Sequence, residues 1–298
     1  MKVANAPVSW GVFELTDPEH RPGYVQVLDE IRQAGYQGTE LGDWGFLPTD
    51  PGRLAEELNA RQLELVAAFV PVALADPGKH ETGEAEALRA ASLLQAVSGK
   101  EALLILSDDN GRDELRLRFA GRIRPEHGLS PDRWEIFTRG AERIAGEVLE
   151  ATGLRTAFHH HCAGFVETPE ELAILMARSD PELLGLCLDT GHLYFAGGDP
   201  VEAVRRYRER IWHVHFKDVD PEVAARSRAE GWDYARSIRE GVFCGLGQGA
   251  VDLAAAVAEL RAVPYWGWLV VEQDRLAGSD AALQDAVRSR DQLRRFGV

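Results

Sequence analysis

Histidines and carboxylates recur where short apolar runs end. The stretch AFHHHCAGFVET places His159, His160 and His161 side by side in a chain of 298 residues with 9 histidines. Three later runs end in a similar way, as LCLDTGH, WHVHFKD and WLVVEQD. Imidazole and carboxylate side chains bind divalent metals and exchange protons near neutral pH. The pattern therefore indicates metal-assisted acid–base chemistry.

Alternation along a strand decides which of these residues can meet. Successive side chains point to opposite faces, so His159 and His161 share one face while His160 points the other way. If the shared faces line one lumen, four consecutive strands bring ligand-type residues to one point. Two imidazoles and two carboxylates suit manganese, cobalt, magnesium, iron or zinc. The predicted metal ligands are His159 or His161, with Asp189, His215 and Glu272.

Neighbouring residues are candidates for catalysis and substrate binding. His161 or His192 could act as the base, because imidazole titrates closest to working pH. Lys217 shares a strand face with His215 and could hold a hydroxyl or stabilise an enolate; a surface salt bridge is the alternative. Tryptophan side chains could stack on a sugar-like ring or simply pack at a barrel rim. The predicted substrate-binding residues are Trp10, Glu40, Trp44, His192 and Lys217.

The elements that position these residues alternate regularly. Eight apolar runs predict strands at residues 3–9, 38–41, 63–70, 102–106, 156–161, 184–188, 211–216 and 268–271. Amphipathic segments between them predict helices at residues 23–35, 51–62, 83–99, 133–153, 168–179, 199–211, 252–263 and 279–295. Such alternation indicates parallel strands with right-handed crossovers. We therefore predict an α/β fold, a (β/α)8 TIM barrel in which residues 1–298 form a single domain. An open doubly wound sheet is the alternative.

Two long segments depart from the alternation of strands and helices, at residues 107–130 and 219–249. They follow the fourth and seventh strands. Loops after barrel strands rise from the C-terminal face, where active sites lie. We predict that both segments form lids or walls over a pocket.

The bulk composition excludes several classes of protein. The formal net charge of −15 argues against nucleic acid and anionic membranes as partners. The 3 cysteines show no CxxC spacing and no signal peptide is apparent, so we expect free thiols in the cytoplasm. The longest apolar run, residues 65–75, is about half of the roughly 20 residues that span a bilayer. Homo-oligomers are common for this architecture, although no interface signal is visible.

Four of these motifs together resemble the xylose isomerase-like TIM barrel superfamily, and more narrowly its inosose dehydratase branch. They are HHHCAGFVET, LDTGHLYFAGGDP, HVHFKDV and VVEQD, and the resemblance runs from APVSWG to VVEQD. It implies a divalent metal held by Asp189, His215 and Glu272. The superfamily commonly has a glutamate on the fifth strand, where this chain has His159. The fourth ligand is then His159, His161 or Glu167.

The resemblance implies a metal-dependent hydro-lyase that dehydrates a keto-inositol or similar keto-polyol through an enediolate. The metal would polarise the ketone and stabilise that enediolate. We expect manganese or cobalt, with magnesium, zinc or iron as alternatives. A sugar isomerase or epimerase uses the same enediolate and is the alternative activity. A DNA repair nuclease and a non-catalytic sugar-binding module are the other classes.

Two departures from the dehydratases bear on the substrate. They usually carry an Asn-Asp-Asp run after the first-strand tryptophan, whereas this chain reads SWGVFELTD. They also carry a proline-containing glycine loop before the seventh helix, whereas this chain reads GLGQG. The expected substrate is therefore a polyol or sugar of this class and not necessarily the keto-inositol itself.

Overall fold

The centre of the molecule is a closed barrel of eight parallel strands, as predicted. The computed structural model describes residues 1–13, 16, 18–262, 265–275 and 281–298. The barrel strands follow the order of the chain around the barrel, and the last pairs with the first. They are β1 (Lys2–Asn5), β2 (Gly38–Glu40), β3 (Glu64–Val72), β4 (Leu103–Asp108), β5 (Arg155–His159), β6 (Leu184–Asp189), β7 (Ile211–Phe216) and β10 (Trp268–Val271). A short antiparallel pair, β8 (Asp218–Val219) and β9 (Phe243–Cys244), lies outside the barrel sheet.

At least one helix follows each barrel strand, which confirms the alternation. Eight correspond to predicted helices: α1 (Tyr24–Gln33), α2 (Pro51–Arg61), α3 (His80–Ser98), α5 (Pro131–Thr152), α6 (Pro169–Arg178), α8 (Pro200–Tyr207), α11 (Leu253–Ala262) and α12 (Ala282–Arg295). Four further helices were not predicted: α4 (Glu114–Phe119), α7 (Thr190–Phe195), α9 (Pro221–Glu230) and α10 (Tyr234–Arg239). Residues 279 and 280 of the last predicted helix lie outside the described residues. Within the part of the chain that the structure describes, no helix is both long and apolar enough to cross a membrane.

Two strands end at least two residues earlier than predicted, and both differences concern the site. β1 ends at Asn5 and not at Ser9, because Pro7 starts a 3-10 helix, Pro7–Trp10. β5 ends at His159 because the chain then turns, and the backbone N–H of His161 donates to the carbonyl of Val166 at 3.0 Å. His161 therefore belongs to the loop after β5.

The barrel lumen changes character from its apolar interior to its C-terminal end. Ala157 on β5, Cys187 on β6 and Val270 on β10 belong to an apolar cluster inside the barrel. Because side chains alternate with period two, the residue two positions further along each segment faces the same lumen. Those residues are His159, Asp189 and Glu272. The same alternation that packs the barrel interior thus presents ligand-type side chains at its mouth.

Candidate metal and catalytic site

A cavity of 370 Å³ lies over the C-terminal ends of the strands. His159, His215, Lys217 and Glu272 line its floor, and Trp44 is part of its wall. A volume of this size is typical of small-molecule sites. The cavity therefore lies where the barrel architecture predicts an active site.

The structure brings the four predicted metal ligands together. His159, Asp189, His215 and Glu272 each offer one ligand atom, and these atoms all lie within 4.8 Å of one another. Nε2 of His159 is 3.6 Å from Oδ2 of Asp189, and Nδ1 of His215 is 3.2 Å from Oε2 of Glu272. Asp189 and His215 are direct partners in the parallel register of β6 and β7. Four different strands therefore contribute to one group of ligand atoms.

The ligand atoms of this group are buried and short of hydrogen bonds. Both ring nitrogens of His159, Oδ2 of Asp189 and Nδ1 of His215 have no hydrogen-bond partner among the described residues. A buried polar atom without a partner costs about 1–3 kcal/mol. A divalent cation would satisfy Oδ2 of Asp189, Nδ1 of His215 and one ring nitrogen of His159 at once. The donor set therefore fits such an ion.

Glu40 holds one of the candidate ligands in place. Its Oε1 accepts hydrogen bonds from Nε2 of His213 at 2.8 Å and from Nε2 of His215 at 2.9 Å. Burial alone would raise the pKa of Glu40, but the two histidines lower it well below its ordinary value. Because Nε2 of His215 donates to this carboxylate, Nδ1 is the nitrogen that His215 presents to Glu272. Glu40 also lines the cavity, where it was predicted to bind substrate.

Lys217 is a buried cation among carboxylates. Its Nζ donates to Oδ1 of Asp274 at 2.6 Å and to Nε2 of His192 at 3.0 Å. It also lies 3.3 Å from Oδ2 of Asp189 and 3.2 Å from Oε2 of Glu272. Burial alone would lower the pKa of Lys217, but the surrounding carboxylates raise it well above its ordinary value. Lys217 therefore stays charged and can donate to an oxygen in the cavity.

His161 is suited to accept a proton. Its Nδ1 lies 2.5 Å from the carbonyl oxygen of Cys162, which can only accept, so Nδ1 carries the proton and Nε2 is free to accept. Burial, and then the neighbouring His159 and Lys217, lower the pKa of His161 well below 6.5. The hydroxyl of Tyr234 lies 3.4 Å from Nε2. A neutral imidazole with an accepting nitrogen therefore lines the cavity.

His192 is fully buried and does not line the cavity. Its ring packs 3.8 Å, centroid to centroid, from that of His161, and its Nε2 accepts from Lys217. The structure thus places His192 behind the two residues that face the cavity. From this position it supports them without reaching a molecule bound there.

The two predicted tryptophans lie in different places. Trp44 lines the cavity, and the guanidinium of Arg89 lies over its ring at 4.2 Å. Trp10 is only 3% exposed, and its Nε1 donates to Oε2 of Glu30 at 2.6 Å. The 3-10 helix after β1 turns Trp10 towards α1, so this residue does not line the cavity.

The structure does not bring Glu167 to the ligand group. Its two carboxylate oxygens accept the backbone N–H groups of Ala163 at 2.8 Å and Gly121 at 2.6 Å. Burial raises the pKa of Glu167 to about 7. Glu167 therefore ties the loop after β5 to the segment after β4. Among the three candidates for the fourth ligand, His159 is the one grouped with Asp189, His215 and Glu272.

The long segment after β4 forms one wall of the site. Asp109, Asn110 and Arg112 line the cavity. Further along, Arg116 makes two hydrogen bonds of 2.8 Å to the carboxylate of Glu171 at the start of α6. This buried pair fastens the wall to the body of the barrel.

Two residues at the site were not identified from the sequence. Asp274 accepts a hydrogen bond from Lys217. It lies two positions after Glu272, so strand alternation is the signal in the sequence that could have identified it. Tyr234 comes from the long segment after β7, and its hydroxyl donates to Oδ2 of Asp274 at 3.3 Å. Nothing in the local sequence GWDYARS indicates that role. The segment after β4 therefore lines the cavity, as predicted for a wall, whereas the segment after β7 contributes no cavity-lining residue and contacts the site through Tyr234.

Comparisons with known proteins agree with this architecture. A family model described as xylose isomerase-like TIM barrel matches residues 28–295. An inosose dehydratase of Geobacillus kaustophilus is 32% identical over 275 residues, which cover 92% of this chain and 87% of that protein. An inosose dehydratase of Lacticaseibacillus casei is 30% identical over 270 residues, which cover 91% of this chain and 88% of that protein.

Solved structures share the fold at lower identity. A probable 3-DHS dehydratase, AsbF, of Bacillus anthracis has a TM-score of 0.70 and 17% identity, covering 99% of each chain. The 3-keto-D-glucoside 4-epimerase YcjR of E. coli has a TM-score of 0.69 and 17% identity, covering 100% of this chain and 99% of that chain. The IOLI protein, whose structure holds a zinc atom, has a TM-score of 0.68 and 15% identity, covering 100% of this chain and 97% of that chain.

Proposed function

Because the chain belongs to the xylose isomerase-like TIM barrel family, we propose that it is a metal-dependent hydro-lyase that removes water from a keto-inositol or a similar keto-polyol. The relatives at 32% and 30% identity are inosose dehydratases, and the similarity covers most of their length. The observation that carries the proposal is the ligand group at the barrel mouth, in which atoms of His159, Asp189 and His215 are buried without a hydrogen-bond partner among the described residues. Its members are His159, Asp189, His215 and Glu272.

These four residues would hold the metal. A bound divalent cation would polarise the substrate ketone and stabilise the negative charge that develops on its oxygen. We propose manganese or cobalt, because two imidazoles and two carboxylates form a borderline donor set, with magnesium, zinc or iron as alternatives. Glu40 accepts a hydrogen bond from the protonated Nε2 of His215, which leaves Nδ1 available to bind the metal.

His161 would take the proton from the carbon next to the ketone. It is neutral, it lines the cavity, and its Nε2 can accept. Positioned acid–base catalysis of this kind contributes roughly 10²- to 10⁴-fold. The hydroxyl of Tyr234, 3.4 Å from Nε2 of His161 and 3.3 Å from Asp274, provides a path for that proton away from the base.

Lys217 would donate a hydrogen bond to the substrate oxygen that becomes negative. Its ammonium is held by Asp274 and supported by His192, so the group is pre-positioned and stays charged. The remaining step breaks the bond between the β-carbon and its hydroxyl, and this hydroxyl takes up the proton that was removed from the α-carbon and leaves as water. On the cavity wall, the ring of Trp44 offers an apolar face to the polyol.

The test is a product measurement on a panel of keto-inositols and ketohexoses. Metal-free protein is supplied with each divalent metal in turn, and the products are identified by mass spectrometry. Loss of one water from a substrate, dependent on metal and absent in Glu272→Gln, is the expected result. Glu182→Gln, which changes a glutamate at the exposed start of the β6 segment, is the matched control. A product of unchanged mass would instead identify an isomerase or epimerase and overturn the lyase assignment.

A further inference from the structure

A second set of ligand atoms lies beside the proposed metal site. Sγ of Cys187 and one ring nitrogen each of His159 and His215 lie within 4.8 Å of one another. All three side chains are buried. Cys187 lies two residues before Asp189 on β6. It pairs in register with His159 on β5 and with His213 on β7. Its thiol therefore faces the lumen one layer below the carboxylates.

We propose that Cys187, His159 and His215 form an alternative metal site that selects thiophilic divalent ions such as Cd²⁺. The inference rests on the proposed function only in sharing two imidazoles with the proposed catalytic site. Thiolates prefer soft ions, whereas carboxylates prefer hard ones. One pair of histidines thus serves two donor sets of opposite preference.

The state of the two histidines supports this inference independently of the cysteine. Both ring nitrogens of His159 and Nδ1 of His215 lack a hydrogen-bond partner among the described residues, although both side chains are almost fully buried. His159 is therefore not committed to one neighbour. Ala157 and Val270, which belong to the same apolar cluster as Cys187, carry no side-chain ligand atoms. In this layer of the lumen the thiol is therefore the donor that joins the two imidazoles.

Binding at this position is a simple exchange of a proton for a metal bond. The thiol proton of Cys187 leaves to solvent as its sulfur binds the ion, and no oxidant takes part. Because His159 and His215 cannot serve both donor sets fully, occupation of one site excludes the other. Thiophilic ions should therefore compete with Mn²⁺ and block the catalytic arrangement.

The experiment uses the full chain with Cys162→Ser and Cys244→Ser as the reference protein, because these are the other two free cysteines. Metal-free reference protein is titrated with Cd²⁺, and the ultraviolet charge-transfer absorption of a Cd–thiolate bond is recorded. We expect this absorption to saturate at one ion per chain and to disappear when excess Mn²⁺ is added. Adding Cys187→Ser should abolish it and weaken Cd²⁺ binding by at least ~10-fold, since even outer-shell changes cost 10- to 100-fold. Mn²⁺ affinity should be unchanged.

Several results would overturn the inference. One is Cd²⁺ binding to the reference protein without thiolate absorption; another is absorption that survives Cys187→Ser. If Cys187→Ser does not fold, X-ray absorption at the Cd edge of the reference protein decides, because it shows sulfur in the coordination shell or does not. Failure of the proposed function is seen separately, as Mn²⁺ binding that is indifferent to Glu272→Gln.

Discussion

Glu40 offers a sharp test of how the site is organised, through the substitution Glu40→Gln. The carboxylate accepts one hydrogen bond from His213 and one from His215, at 2.8 and 2.9 Å, in a fully buried position. A hydrogen bond to a charged group contributes about 1.5–3 kcal/mol and a neutral one about 0.5–1.5 kcal/mol. The amide should therefore weaken each bond by about 1 kcal/mol and loosen the orientation of His215.

The loss should appear in metal affinity. Outer-shell partners of metal-binding histidines typically contribute 10- to 100-fold to affinity, which corresponds to about 1.4–2.7 kcal/mol. Metal-free protein is titrated with Co²⁺ or Mn²⁺ in competition with a chromophoric chelator. Glu64→Gln is the matched control, because Glu64 lies at the exposed start of β3 and pairs only with Lys2 among the described residues. Wild-type metal affinity in Glu40→Gln together with a raised KM would refute the reasoning, and would show that Glu40 acts on substrate through its cavity face.

Three further predictions concern the ligand group and the walls. Glu272→Gln should abolish turnover and weaken metal binding while the thermal midpoint stays near that of the wild type; full activity would contradict the assigned ligand. Arg116→Met leaves the carboxylate of Glu171 buried without its cation, so urea unfolding should show a loss of about 3–5 kcal/mol; an unchanged midpoint would be inconsistent with a buried pair. Burial raises the pKa of Glu167 from 4.5 to about 7, so between these values the folded protein keeps a proton that the unfolded chain has lost. Stability should therefore fall as pH rises through that window, by about 1.4 kcal/mol per pH unit, and Glu167→Gln should lack this slope. Equal slopes in the two proteins would rule out the shift.

Local sequence patterns predict some residues of the site and not others. Strand alternation and the barrel architecture suffice to bring Asp189, His215 and Glu272 to one point, since each follows a lumen-facing residue by two positions. The same rule extends to Asp274, two positions after Glu272. Trp10 does not reach the cavity, because Pro7 ends the strand and the 3-10 helix turns the indole towards α1.

The sequence by itself determined the alternation of eight strands and helices, the polar strand ends and the family resemblance, because these depend on local periodicity and on motifs within a few residues. Only the tertiary structure decided that His159 rather than Glu167 joins the ligand group. Tyr234 reaches His161 across 73 positions of the chain, and Arg116 reaches Glu171 across 55. Such contacts depend on how loops fold back over the barrel, where no periodic constraint acts. The tautomer of His215 likewise follows from its hydrogen bond to Glu40. The two residues are 175 positions apart in the sequence, and closure of the barrel brings them together.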